Sequence, residues 1–164
     1  MRKQLLSSRS EPERLPTAAW LDLEKIADVA ITSEDPEHPI ESALVGGGQG
    51  GWRAASPGEQ TIRLSFPKPQ FLRRIFLEFA ETSAARTQEF LLRWSADGGA
   101  SYRDIVRQQF HFSPPGTTGQ IEDYGVELDG VTTLELIIVP DVQRGDAHAS
   151  LARLQLSSSP KPRD

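Results

Sequence analysis

Between residues 61 and 66 apolar and polar side chains alternate one by one. Ile62, Leu64 and Phe66 point one way, and Thr61, Arg63 and Ser65 the other. A period of two is the signature of a strand with one buried face. Pro67 and Pro69 then break the pattern, and it resumes over 71–79 with Ile75, Leu77 and Phe79 inward. Residues 89–95 place Phe90, Leu92 and Trp94 on one face. Further strands are expected at 26–32, 102–110, 121–128, 132–139 and 151–156, the last with Leu154 and Leu156 inward. Short helical turns are expected at 19–25 and 39–44, where Pro39 suits a first helical position. About eight strands, short turns and no long amphipathic helix predict an all-β antiparallel sandwich or barrel. Its core would hold Ile62, Leu64, Leu77, Phe90, Leu92, Trp94, Leu136 and Leu154.

Composition narrows this picture. A chain of 164 residues fits one domain, and 13 glycines with 12 prolines favour frequent turns over long helices. The domain is expected over about 17–156, after a loose charged lead-in (1–16) and before a disordered tail (157–164) without apolar residues. A net charge of −5 and a pI near 5.3 argue against a nucleic-acid partner. With no cysteine there is no disulfide, thiolate metal site or Cys nucleophile. The first ten residues show no apolar h-region, so no signal peptide is expected and a cytoplasmic location is the default. The longest apolar run, 136–139, is far too short to cross a bilayer.

The order of landmarks carries a resemblance. The strand Val29-Ala-Ile-Thr-Ser33 leads into a long loop with Ala43-Leu44, a Gly-rich turn and Trp52. The strands over 61–66 and 71–79 follow, then Phe90-Leu-Leu-Arg-Trp-Ser-Ala-Asp-Gly98 with Tyr102 beyond it, and Ser150-Leu-Ala-Arg-Leu-Gln-Leu156 closes the series. In this order they resemble the discoidin family, also known as the factor 5/8 type C or galactose-binding-like domains and akin to family-32 carbohydrate-binding modules. The resemblance implies a jelly-roll β-sandwich that binds rather than catalyses. Asp97-Gly98 agrees physically, since Gly accepts the positive φ of a hairpin turn. Trp52 is expected in the end of the core.

Many members of the family hold a structural calcium through an Asp-Gly in the long loop and a Glu in the closing strand. Here Val45-Gly46 and Arg153 stand at those places, and Ca²⁺ wants several hard oxygen ligands, so no calcium site is expected. No other metal and no cofactor is expected either. His38, His111 and His148 lack close metal-ligand spacing, and Gly46-Gly-Gly-Gln-Gly-Gly51 lacks the Gly-Lys-Ser/Thr of a phosphate loop. No nucleophile elbow and no distinctive acid–base pair is present, so enzyme activity is not expected.

In sugar- and lipid-binding relatives the ligand meets loops at one end of the sandwich. The corresponding loops are 33–39, 80–87 and 110–118. They would supply Glu34 and His38, Arg86, and Phe110, His111 and Phe112 respectively. A sugar needs a flat apolar face and a few planar or fixed polar partners, which these residue types offer. The first loop is acidic and lacks apolar tips, so a membrane partner is not expected. The leading expectation is a small saccharide as ligand. The alternative is an intracellular protein-interaction scaffold or homodimer, marked by an apolar sheet face including Phe76 and Leu91.

Overall fold

In chain order the elements are α1 (Leu23–Ile26), β1 (Asp28–Ile31), α2 (Glu41–Leu44), β2 (Trp52–Pro57), β3 (Gln60–Ala80) and β4 (Arg86–Ser95). They continue with β5 (Arg103–Phe112), β6 (Gly119–Val139), β7 (His148–Leu151) and β8 (Arg153–Ser157). This is a computed structural model, and it describes residues 20–45, 50–143 and 145–162. The expected lead-in 1–16 lies outside the described residues.

Two strands of 21 residues, β3 and β6, organise the sandwich by each serving both of its layers. In the first layer the start of β3 pairs with β1 and with the end of β6, which also pairs with β4; β4 then pairs with the edge strand β5. In the second layer the end of β3 pairs with the start of β6 and with β8. Every pairing is antiparallel. Between Ser65 and Arg74 the β3–β6 register shifts three times, and the strands pass from one layer to the other. Pro67 and Pro69 fall in that interval. Lacking an N–H, proline is tolerated where ladder pairing lapses, so it bends one long strand instead of separating two. Gly130, at φ +75°, stands beside the corresponding shift in β6, which likewise joins the two strands expected at 121–128 and 132–139.

The inward faces meet as the alternation predicts. Ile62, Leu64, Leu77, Phe90, Leu92, Leu136 and Leu154 are buried. Phe79 of the second layer packs on Phe90 of the first with ring centroids 5.2 Å apart. Trp94 is the exception: it is half-buried and packs against the rim of the core, because a register shift between Leu92 and Arg93 interrupts the alternation at the strand's end. Trp52 fills the end of the core as expected, 1% exposed, with Nε1 donating to the Ser33 carbonyl at 3.1 Å.

A separate ribbon of β2 and β7 covers one end of the sandwich. Neither strand is expected from the sequence as such. The closing strand proves to be two, β7 and β8, parted at Ala152, whose N–H turns to the Glu78 carbonyl. The segment expected as tail begins inside β8: Ser157 bridges to Trp20, and Lys161 donates to the Asp123 carbonyl.

Candidate functional site

The ribbon positions a pocket. β2 pairs with β7 at Trp52↔Leu151 and Arg53↔Ser150, which puts Arg53 and Ser150 on the outward face beside the loop after β3. The turn 35–38 docks on the ribbon through backbone bonds: Asp35 N–H to the Arg53 carbonyl at 2.8 Å, and Arg53 N–H to the His38 carbonyl at 3.1 Å. Ser150 Oγ donates to the Ala80 carbonyl at 3.1 Å, tying the ribbon to the end of β3. Between these parts lies a cavity of about 160 Å³. His38, Arg53, Glu81, Thr82, Ser83 and Ser150 supply its polar lining, and Gly50, Trp52, Ala80 and Leu151 belong to its wall.

Gly51 makes the close approach possible. Its φ is +63°, and a Cβ there would run into the Leu151 carbonyl oxygen and lie 2.7 Å from Ala152 Cα. The Gly-rich run is thus a packing device at this point, as well as the entry to β2.

His38 lines the pocket, with Nδ1 3.3 Å from Asp35 Oδ2. Its Nε2 has no partner among the described residues. The Glu37 backbone N–H, helped by the His38 ring, holds the Asp35 carboxyl below its ordinary value. Arg53 makes no side-chain hydrogen bond or ion pair among the described residues, although it is near enough to Asp35 to favour that carboxylate's charge.

The remaining expected site residues lie elsewhere. Arg86 belongs to the 80–87 segment, but its side chain is 1% exposed. Nε donates to Glu81 Oε1 at 2.7 Å, and Nη1 donates to Gln88 Oε1 and the Pro140 carbonyl, both at 2.7 Å. Its guanidinium also lies 5.0 Å from the Phe112 ring centre. The physical reason is register: Arg86 opens β4 on the inward face, so the strand carries it into the sandwich. Arg86 Nη2 and Gln88 Nε2 are buried without partners among the described residues. Glu34 accepts from Ile40 N–H at 2.9 Å, where it caps the turn into α2. Phe112 is fully buried, and Phe110 packs edge-on to it at 5.1 Å and against Phe79 at 5.5 Å. Phe112 fills the core, half-buried Phe110 packs against it, and neither ring gives a wall to the pocket. His111 points outward from β5 and pairs with Thr87 Oγ1 at 2.9 Å. The structure therefore brings the 33–39 and 80–87 loops together, but not the 110–118 loop, which reaches the second loop through Glu81 N–H to the Thr118 carbonyl.

Glu81 organises the loop that forms the pocket's far side. Its Oε2 accepts from Ser83 N–H, Ser83 Oγ and Ala84 N–H at 2.9–3.1 Å, while Oε1 takes Arg86. Partial burial raises the pKa of this carboxyl, but the Ser83 and Arg86 bonds outweigh burial and bring it to about 2. Glu81 is ionised and fully engaged.

Sequence reasoning missed Arg53, Thr82, Ser83 and Ser150. The available signal was the outward phase of Arg53 beside an inward Trp52, which required reading 52–57 as a strand. Arg153, at the place where the resemblance implied a calcium-binding Glu, pairs with Glu78 at 2.9 Å. No cluster of three or more His, Asp or Glu suited to a metal occurs among the described residues.

No protein-family model and no curated protein matches the chain. Solved structures do. The family 32 carbohydrate-binding module of Clostridium perfringens NanJ, in complex with galactose, superposes with a TM-score of 0.61 at 14% identity, over 84% of this chain and 97% of that one. CpGH89CBM32-5 from Clostridium perfringens, in complex with GalNAc-β-1,3-galactose, gives 0.58 at 18% identity, over 84% and 99%. Reduced XRCC1 bound to the DNA polymerase β catalytic domain gives 0.56 at 18%, over 80% and 94%. At these identities the likeness is one of fold, and the fold is the galactose-binding-like antiparallel sandwich that family-32 carbohydrate-binding modules share.

Proposed function

We propose that this domain is a non-catalytic saccharide-binding module whose site is the pocket between the β2–β7 ribbon and the loop after β3. The observation that carries the reading is the gathering of uncommitted polar groups in one concave place at a loop end. His38 Nε2, the Arg53 guanidinium and the Thr82 hydroxyl all line it, and none has a partner among the described residues. At about 160 Å³ the cavity is below the roughly 300–1,000 Å³ of drug-sized sites, so it suits a single ring or a chain end. Neighbours of the same fold hold galactose and GalNAc-β-1,3-galactose, which supports the ligand class.

A glycan array followed by NMR titration of any hit tests this. Thr82 and His38 resonances should shift, and His38→Ala should weaken binding at least several-fold with an unchanged melting temperature. Binding indifferent to His38→Ala, or no glycan bound at all, would overturn the proposal. The likeness to XRCC1 bound to a polymerase domain supports a second reading, a protein-interaction module. Against it, the exposed apolar residues Val29, Phe71, Ile121 and Val142 lie on different elements, and scattered single residues are ordinary surface. Phe76 packs on Trp20 and under Arg153, and Leu91 is half-buried.

A further inference from the structure

We propose that the pocket selects sugars bearing a carboxylate, hexuronic acids as a chemical class, with Arg53 as the residue that determines this selectivity. The inference rests on the saccharide reading of the pocket and concerns which saccharide.

The first argument is the wall. Neutral sugars are commonly gripped by an aromatic face against the C–H side of the ring. Among the described lining residues the one aromatic is Trp52, which is buried and commits Nε1 to the Ser33 carbonyl. Residues 46–49, which lead up to the lining residue Gly50, read Gly-Gly-Gly-Gln and bring no ring. Phe110 and Phe112 are engaged in the core. Without a stacking surface, affinity must come from polar contacts, and charge-assisted hydrogen bonds are roughly twice as strong as neutral ones.

The second argument is charge accounting. Glu81, the acid in the lining, is matched by Arg86, and its second oxygen is taken up by Ser83 and Ala84. Asp35 is engaged by His38 and by the Glu37 N–H. Arg53 lies near enough to Asp35 to favour that carboxylate's charge, but no hydrogen bond or ion pair among the described residues occupies its guanidinium. Its backbone is pinned on both sides, to Asp35 and to His38, and its Cα is held in register with Ser150. The long side chain therefore starts from a fixed base at the pocket's lip. A planar fork of donors fits a carboxylate by two parallel bonds, a match that neither a hydroxyl nor an ammonium reproduces. The overall charge of −5 does not prevent this, since at about 10 Å most distant surface charge is screened at ordinary salt.

The experiment is a set of titrations of the full chain with D-galacturonate, D-glucuronate, their neutral parents D-galactose and D-glucose, and the methyl ester of galacturonic acid. At least one uronate should bind ten-fold or more tightly than its neutral parent, with the galacturonate ester falling to the level of galactose if galacturonate is the preferred acid. Raising salt should narrow the gap. Arg53→Gln should bring the uronate down to the neutral sugar, Arg53→Lys should keep part of the preference, and neither should move the melting temperature. Arg107→Gln removes an equal charge on β5, where Arg107 pairs with Glu89, and should leave the preference intact. Equal binding of acid and neutral sugars, a preference that survives Arg53→Gln, or an equal loss in Arg107→Gln would overturn the selectivity while leaving the saccharide reading standing. If no member of the set shifts His38 or Thr82, this proposal falls, and failure of a wider glycan array as well would take the saccharide reading with it.

Discussion

Truncating Arg86 removes a guanidinium that is 1% exposed and leaves the Glu81 carboxylate, itself only 10% exposed, without its counter-charge. Breaking a buried pair from one side costs about 3–5 kcal/mol, because the remaining charge stays desolvated. Arg86→Ala should therefore lower the urea midpoint sharply; a melt within error of the parent would refute the buried pair. The same site gives a pH dependence. Glu81 has a folded pKa of about 2 against an ordinary 4.5, so its ionisation stabilises the fold fully above pH 4.5. That contribution is lost as pH falls from 4.5 through 2. Glu81→Gln cannot titrate, so the stability gap between parent and variant should shrink over that window, read as urea midpoints at pH 7, 4 and 2.5. A gap constant with pH would sink the assignment. These roles were hard to read from the sequence, since Arg86 in isolation looks like any loop arginine. Whether it faces solvent or core depends on the phase of β4, which the alternation defines from Phe90 onward and which the segment Ala84-Ala-Arg-Thr-Gln88 obscures with small and polar residues.

At the scale of elements, the ribbon that holds Arg53 depends on one glycine. Gly51 has φ +63°, where a side chain costs about 1–2 kcal/mol even without a clash, and its Cβ would meet the Leu151 carbonyl and Ala152 Cα. Gly51→Ala should destabilise the domain by more than that, push β2 from β7, and impair the proposed sugar binding together with stability. If the variant melts normally, the close approach is wrong. Strong alternation made the halves of β3 and β6 legible, and the inward sets Ile62/Leu64/Phe66 and Ile75/Leu77/Phe79 follow from it. What the alternation could not reveal is that two prolines bend a strand at a register shift without ending it. The ribbon strands escaped for a different reason. Trp52-Arg-Ala-Ala-Ser-Pro57 has one large apolar residue, and β7 has four residues, too few to establish a period. The candidate pocket was legible only in part in consequence: the loops after β1 and β3 converge around His38, but the ribbon's arginine went unseen.

At the scale of the molecule, the unusual length of β3 and β6 makes the two layers one mechanical unit. The first layer takes two of its five strands and the second two of its three from the same two chain segments, and the core between them is continuous from Leu72 and Ile75 to Phe90 and Leu136. A layer cannot come apart without breaking strands that the other requires, so no partly unfolded state should be populated at equilibrium. The three tryptophans report on separate regions: Trp20 on the second layer through Phe76, Trp94 at the end of β4 in the first, and Trp52 under the ribbon. In variants that retain one tryptophan at a time, Trp→Phe elsewhere, the urea transitions followed by fluorescence should coincide with the far-ultraviolet circular dichroism transition of the same variant. The test has most force at Trp52, because among the described residues β2 and β7 pair only with each other and could in principle fray first. Yet Trp52, Ala54, Ala149 and Leu151 are each buried to 1% or less in the shared core, and the Ala152 N–H and Ser150 Oγ bind the carbonyls of Glu78 and Ala80 on β3. Fraying the ribbon would open that core, which couples its loss to the loss of the whole. A Trp52 transition at lower urea than the dichroism would mean that the ribbon, and the pocket with it, folds as a separate unit.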